Sequence, residues 1–193
     1  MCASCLTFLL PFLLSFAGIL SSLIWLDDPC LAWSQNFFNK TPYLIQKIIQ
    51  TFSWLPSLFL LFFLLPLSLL INQQNLTVSL TFALSVIFTL GSALILKLLF
   101  LRLRPQNADL NFFSLNASFP SIHVAGSSAA ALALNSTYPA LAKILFGLVI
   151  LVALSRLLLK QHFLSDLFGG IFIAQTLNLF FTQSDFWPWL GLP

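Results

Sequence analysis

Five of the eight cations and both histidines of this 193-residue chain fall in two short windows, Lys97 to His123 and Arg156 to His162. His162 and Asp166 are four residues apart, which stacks them on one face if the segment is helical. A carboxylate so placed accepts a proton from one ring nitrogen, fixes the tautomer and leaves the other nitrogen free as a nucleophile. A lone histidine on an apolar face is more often a satisfied core residue. An aspartate beside it, in a chain with five acids and no Glu, favours catalysis. Lys97 and Arg104 are seven apart, a rotation of roughly 700° at about 100° per residue, so a continuous helix brings them within about 20° of one face. Two cations on one face call for an anion. Arg offers a planar fork suited to phosphate oxygens and Lys a point charge, and a phosphate carries enough charge to hold both. Snorkelling at a helix end is the competing account of the pair, and Arg102, off that face, is assigned to it. The third cluster is Phe119-Pro120-Ser121-Ile122-His123. Ser121, backbone amides and the start of the following helix make an anion site, and His123 can give a proton to a leaving oxygen. A turn with an N-capping serine explains Pro120 and Ser121 but not His123.

The elements that must position these groups belong to an oily chain: 59% hydrophobic, 7% charged, with 22 Phe and a mean hydropathy of +0.98. A soluble domain carries roughly 25% charged residues, so most of this surface must face lipid. High hydrophobicity with little charge is the opposite of disorder, and a net charge of +3 from scattered cations is no nucleic-acid footprint. Three cysteines make no disulfide framework; Cys2 and Cys5 form a C-x-x-C without a βαβ context, so free or acylated thiols are expected.

A crossing of a hydrocarbon core about 30 Å thick needs roughly 20 helical residues, and lipid leaves unpaired backbone groups no partner. Six apolar runs fit, at about 6–26, 52–71, 76–103, 123–138, 140–159 and 163–182. The expected fold is therefore all-α, a six-transmembrane helix bundle forming one domain over 1–193. The first run resembles a secretory signal but lacks a basic leading region and is longer than such apolar stretches usually are, so it is read as a retained helix. The third run ends where Pro105 disfavours helix for its predecessor. The fourth is rich in small residues from Ala125 to Ala131, which lets neighbouring helices approach closely. Between the first two runs, Trp33, Phe37, Phe38, Leu44, Ile45, Ile48, Ile49 and Phe52 recur at largely helical spacing. They describe either an interfacial amphipathic segment or a loop with aromatic anchors. Charged groups inside a bilayer cost at least about 2.5 kcal/mol each and are presumed functional. With six crossings, the windows after the third and fifth helices open on one side and can meet.

Together these residues resemble the three-part signature of the type 2 phosphatidic acid phosphatase superfamily, which includes vanadium haloperoxidases. K-x6-R-P stands as Lys97 to Arg104-Pro105, P-S-G-H as Pro120-Ser121-Ile122-His123, and S-R-x5-H-x3-D as Ser155-Arg156 to His162 and Asp166. Ile122 replaces the usual Gly, a residue that tolerates backbone angles a β-branched side chain does not. Related headgroup transferases often carry a bulky apolar residue there, which leaves hydrolysis and transfer both open.

The resemblance implies a role for each position. Lys97, Arg104 and Arg156 bind the phosphate oxygens and offset transition-state charge. His162 attacks phosphorus to form a phosphohistidine, Asp166 orients it, and His123 protonates the departing group and then activates water. Ser121 and the amide of Ile122 add hydrogen bonds. Apart from the resemblance, Ser155 is read as helix-end packing or a secondary hydrogen bond, and Lys160 as facing headgroups. No metal and no cofactor is implied, because the cations do what Mg²⁺ does elsewhere.

The expected activity is that of a membrane lipid phosphate or pyrophosphate phosphatase. Undecaprenyl pyrophosphate, phosphatidylglycerol phosphate, phosphatidic acid and a lipid A phosphate are the candidate substrates. A lipid phosphotransferase using the same intermediate is the alternative, and a catalytically silent scaffold stands last. The expected partners are a lipid phosphate and the bilayer, with no nucleic acid. Topology sets two arguments against each other. Lys40, Lys47, Arg102 and Lys160 lie on the catalytic side and Lys143 on the other, which the positive-inside rule reads as a cytoplasmic site. The resemblance implies a bacterial inner-membrane protein with a periplasmic site, and that reading is preferred because the phosphate binders are there for function.

Overall fold

A computed structural model of the chain describes residues 13–19, 21, 25–52, 58, 60–72, 76–105 and 117–183. The described residues are helices and their connections, with no strand among them. Residues 13–19 are helical. The rest of the first expected span, the retained-leader reading, Cys2 and Cys5 lie outside or mostly outside the described residues, as does the beginning of the second span. In chain order the helices are α1 (Asp27–Lys40), α2 (Tyr43–Phe52), a π-helical turn (Leu60–Leu64) running into α3 (Leu65–Asn72), α4 (Leu76–Phe100), α5 (Ile122–Leu134), α6 (Pro139–Leu158) and α7 (Leu164–Gln183).

Among the described residues, three helices are long and apolar enough to cross a membrane: α4, α6, and α7 over Leu164–Thr182. Their outward faces carry Ile87, Phe88, Ile95 and Leu99 on α4 and Ile144, Ile150 and Leu151 on α6, large apolar side chains that only lipid would solvate favourably. The protein is accordingly a membrane protein. Helix α5 is different, with 13 residues and a length of about 20 Å. It packs against α4, α6 and α7, and Val124, Ala125 and Ala129 to Ala131 are fully buried. Small side chains let four backbones crowd together where dispersion contacts, rather than water exclusion, hold helices.

A close backbone-to-backbone approach falls at Gly170. A Cβ there would stand 2.8 Å from the carbonyl oxygen of Ser121 and 3.0 Å from the amide nitrogen of Ala125. Glycine is what allows the first turn of α5 to lie on α7, and Ser121 N accordingly donates to Asp166 O at 3.0 Å. The segment between the first two expected spans is helical, as α1 and α2, broken at Thr41 and Pro42. Thr41 Oγ1 and the Gln46 amide cap the end of α1 by donating to Phe37 O and Phe38 O.

Two helix ends matter to the site, and the first differs from expectation. Helix α4 was expected to reach about 103 but stops at Phe100, where Leu101 turns left-handed (φ 43°) and donates to Lys97 O at 3.1 Å. That is a left-handed C-terminal motif made without glycine. Helix α6 ends in a full Schellman motif, with Lys160 left-handed (φ 56°), Lys160 N donating to Leu157 O and Gln161 N to Arg156 O. Each reversal turns the chain back over the helix end that carries a cation.

Candidate active site

The C-terminal ends of α4 and α6 and the N-terminal ends of α5 and α7 meet at one end of the bundle. Lys97, Arg104, Ile122, His123 and His162 line a single cavity of about 650 Å³ there. Along α4 its wall continues through Leu94, Leu90 and Val86, three and four residues apart on one face. From Val86 to Lys97 is about 16 Å of helix. Leu58, Phe62 and Phe63 close the apolar part from the other side. The space is thus cationic at one end and hydrocarbon-like beyond it.

Lys97, buried in the last turn of α4, donates to the carbonyls of Ala117 and Ser118, the latter at 3.2 Å. This ties the loop before α5 to the end of α4, and Phe100 stacks edge-on against Phe119 with 5.2 Å between centroids. Arg104 shares the cavity with Lys97, but not through a shared helix face: the helix ends between them at Phe100, so the seven-residue rotation does not apply. Arg104 reaches the site because the chain reverses at Leu101. Burial lowers its pKa from the ordinary guanidinium value, with Asp166 opposing the shift.

His162 was expected in the first turn of the last helix. It stands two residues before α7, which begins at Leu164. Its Nδ1 nevertheless faces Asp166 Oδ2 at 3.4 Å, an ion-pair distance longer than an ordinary hydrogen bond. Nε2 is left as the nitrogen turned from the carboxylate. Burial pushes the imidazole pKa down to about 4; Asp166 pulls it up, while Lys97 and Arg104 push it further down. The ring is therefore neutral near pH 7, the state in which it has a lone pair to give.

Asp166 is fully buried. Its Oδ2 accepts from the Ser118 hydroxyl and from Phe163 N at 2.8 Å, and its Oδ1 from Arg102 Nη1 at 2.9 Å. The contact from Phe163 N is the carboxylate half of a capping box at the start of α7. Arg102 does not snorkel. It joins Asp166 to Asp27 at 2.8 Å through Nη2, and its guanidinium lies 4.1 Å from the centroid of the Phe163 ring.

Ser121 is buried at the N-cap of α5 but its hydroxyl makes no capping bond, and Oγ has no hydrogen-bond partner. An unsatisfied buried hydroxyl at a helix start is a group in need of an acceptor or donor. Ile122 begins α5 without a positive φ, so this position makes no demand for glycine, and the departure from the motif costs the backbone nothing. Arg156 is buried in the last turn of α6, donates to the Gln161 side chain, and is in electrostatic reach of His123 and Arg104. Arg156, Ser121 and Asp166 do not themselves line the cavity. Ser155 donates to Val152 O at 2.7 Å, a bond inside its own helix. Among the described residues no three His, Cys, Asp or Glu side chains gather as a metal site.

The residues missed by sequence reasoning are Asp27, Ser118, Gln161 and Ser165, with Arg102 misassigned. Asp27 carried a usable signal: it is one of five acids beside an apolar run. Ser118 and Ser165 are too common a type to stand out.

Residues 76–189 match the PAP2 superfamily, and the chain belongs to it. This is the family whose signature the three segments resemble. Two solved structures are similar. The first, described as the first transmembrane PAP2-type phosphatidylglycerolphosphate phosphatase from Bacillus subtilis, has a TM-score of 0.64 at 22% identity over 91% of this chain and 92% of that one. The second is Aquifex aeolicus LpxE, with a TM-score of 0.57 at 23% identity over 80% of this chain and 94% of that one. At such identities the likeness speaks for the fold. No curated protein matches the sequence.

Proposed function

We propose that the protein is a membrane lipid phosphate or pyrophosphate phosphatase acting through a phosphohistidine, without a metal. The observation that carries this reading is one cavity: Lys97, Arg104, His123 and His162, from three separate stretches of sequence, line its polar end, and the remainder is apolar but for Ser127. A phosphate fits the cationic end and a lipid chain the other. His162 Nε2 attacks phosphorus while the bond to the lipid oxygen breaks, and His123 gives that oxygen its proton. His123 then takes a proton from water, which attacks the phosphohistidine and releases inorganic phosphate. Lys97, Arg104 and Arg156 hold the oxygens and offset the charge of the transition state. Ser121 Oγ and the amide of Ile122 add hydrogen bonds at the start of α5.

Family membership and the likeness to lipid phosphatases support this reading. Of the substrates that fit, phosphatidylglycerol phosphate is what the Bacillus subtilis relative's description names; undecaprenyl pyrophosphate, phosphatidic acid and a lipid A phosphate fit the cavity's chemistry equally. The test is phosphate release by the purified protein in detergent with EDTA, across a panel of these lipids, beside His162→Ala. Release that survives EDTA and vanishes in the variant supports the reading; release that survives the substitution removes His162 from its role. Transfer to a second lipid is the alternative, favoured by one observation: Ile122 lines the cavity with a bulky apolar side chain where the family motif has glycine. A product carrying the phosphoryl group on another lipid, with no free phosphate, would establish it.

The chain then crosses the bilayer six times, with α1 and α2 in the headgroup plane on the catalytic side. Ile45 and Ile48 of α2 are exposed apolar residues suited to that position. We place the active site on the periplasmic face of a bacterial inner membrane.

A further inference from the structure

We infer that Arg102, clamped between Asp27 and Asp166, is a positioning residue for His162, so that α1 holds the nucleophile's aspartate in place. The inference rests on the phosphatase reading and deepens it. A carboxylate fixed at one oxygen can swing about its Cβ–Cγ bond and carry the other oxygen away from an imidazole. Asp166 is fixed at both. Oδ2, which faces His162 Nδ1, accepts from Ser118 and from Phe163 N, and Oδ1 is taken by Arg102 Nη1.

Arg102 is anchored in turn. Nη2 donates to Asp27 Oδ2 at 2.8 Å, and Asp27 reaches across to α7, accepting Ser165 N at 2.9 Å on Oδ1 and Ser165 Oγ at 2.6 Å on Oδ2. Phe163 at the start of α7 has no side-chain oxygen with which to cap the helix, so Asp27 of another helix satisfies one of its first free amides. Asp27 and Asp166 are both buried, at 8% and 0% side-chain exposure, and a single guanidinium bridges them. Only a planar fork bonds two carboxylates in this way; a Lys ammonium keeps the charge but not the geometry. With its ring contact to Phe163, the guanidinium fixes both residues that set the direction of the imidazole. Arg102 does not line the cavity. With its guanidinium taken up by the two aspartates, it acts through Asp166 and not on substrate.

The experiment compares the full-length wild type with Arg102→Met, Arg102→Lys, Asp27→Asn, Asp27→Asn/Arg102→Met and His162→Ala, in detergent with a short-chain phosphatidic acid. Arg102→Met should lower kcat about tenfold or more with KM within about twofold, since an interaction that shapes the reacting group is felt in turnover. Arg102→Lys should recover part of the loss. The double variant should be no slower than Arg102→Met, because both residues act along one linkage. Unchanged kcat in every Arg102 and Asp27 variant while His162→Ala is inactive, or a loss expressed in KM alone, overturns the inference. Should Arg102→Met lose its helical circular dichroism, the near-isosteric Asp27→Asn and Arg102→Lys decide, and full turnover in both overturns it. A wild type with no activity on any lipid phosphate defeats the phosphatase reading instead. Positioning is then read from the imidazole nitrogen resonances of His162 in a His123→Ala background, which Arg102→Met should move and which an uninvolved arginine would leave in place.

Discussion

At the scale of the residue, His162 is held neutral by burial against the pull of Asp166, with its pKa lowered to about 4. An unfolded histidine titrates near 6.5. As the pH falls below that value the unfolded chain takes up the proton more readily than the folded one. The fold therefore loses stability between about 6.5 and 4 from this group, and loses no more below. With two histidines in the chain, a His123→Ala variant leaves one imidazole, and its NMR titration should have a midpoint near 4; a midpoint near 6.5 would show a solvated ring. Asp166→Asn should lower turnover by about 10²–10⁴-fold, measured as kcat in folded protein, because the amide presents a donor or a weaker acceptor to Nδ1. Lys97, Arg104, His123, His162 and Asp166 were legible in the sequence because ionisable types are rare and costly in an apolar chain. Asp27 is as rare a type, but its partners Arg102 and Ser165 are 75 and 138 residues away, so its place in the site was not legible.

At the scale of the element, the site depends on where helices stop and how closely two of them approach. The apolar runs located α4, α5, α6 and α7 to within a few residues. The termini were less legible: the left-handed turns at Leu101 and Lys160 lack the glycine that usually marks them. The seven-residue argument for Lys97 and Arg104 fails for that reason, although both side chains reach the cavity. The contact at Gly170 makes a sharper prediction. Gly170→Ala puts a methyl against the backbone of Ser121 and Ala125, which cannot give way as a side chain end does. It should cost about 1–3 kcal/mol as overpacking and lower turnover by parting Ser121 and His123 from α7. A thermal melt in detergent and an activity assay check it; wild-type values in both would mean that the helices part without consequence.

At the scale of the whole molecule, a membrane protein could be read from composition alone, because a chain with 7% charge has no water-soluble surface to offer, and its helices from apolar runs about 20 residues long. The number of crossings was harder to read. Helix α5, at about 20 Å, is shorter than the hydrocarbon core and is covered by other helices rather than lipid. Six crossings with a periplasmic site leave the C-terminus in the cytoplasm. A fluorescent reporter fused after Pro193 should glow there and alkaline phosphatase at the same point should stay inactive; the reverse pattern would turn the protein over. The measurement that bears most directly on the central claim is recovery of the covalent intermediate. Purified protein quenched during turnover of a radiolabelled lipid phosphate should carry the phosphoryl group on the peptide containing His162, and His162→Ala should carry none and release no phosphate. Steady turnover by His162→Ala, or a label found on another residue, would contradict the account.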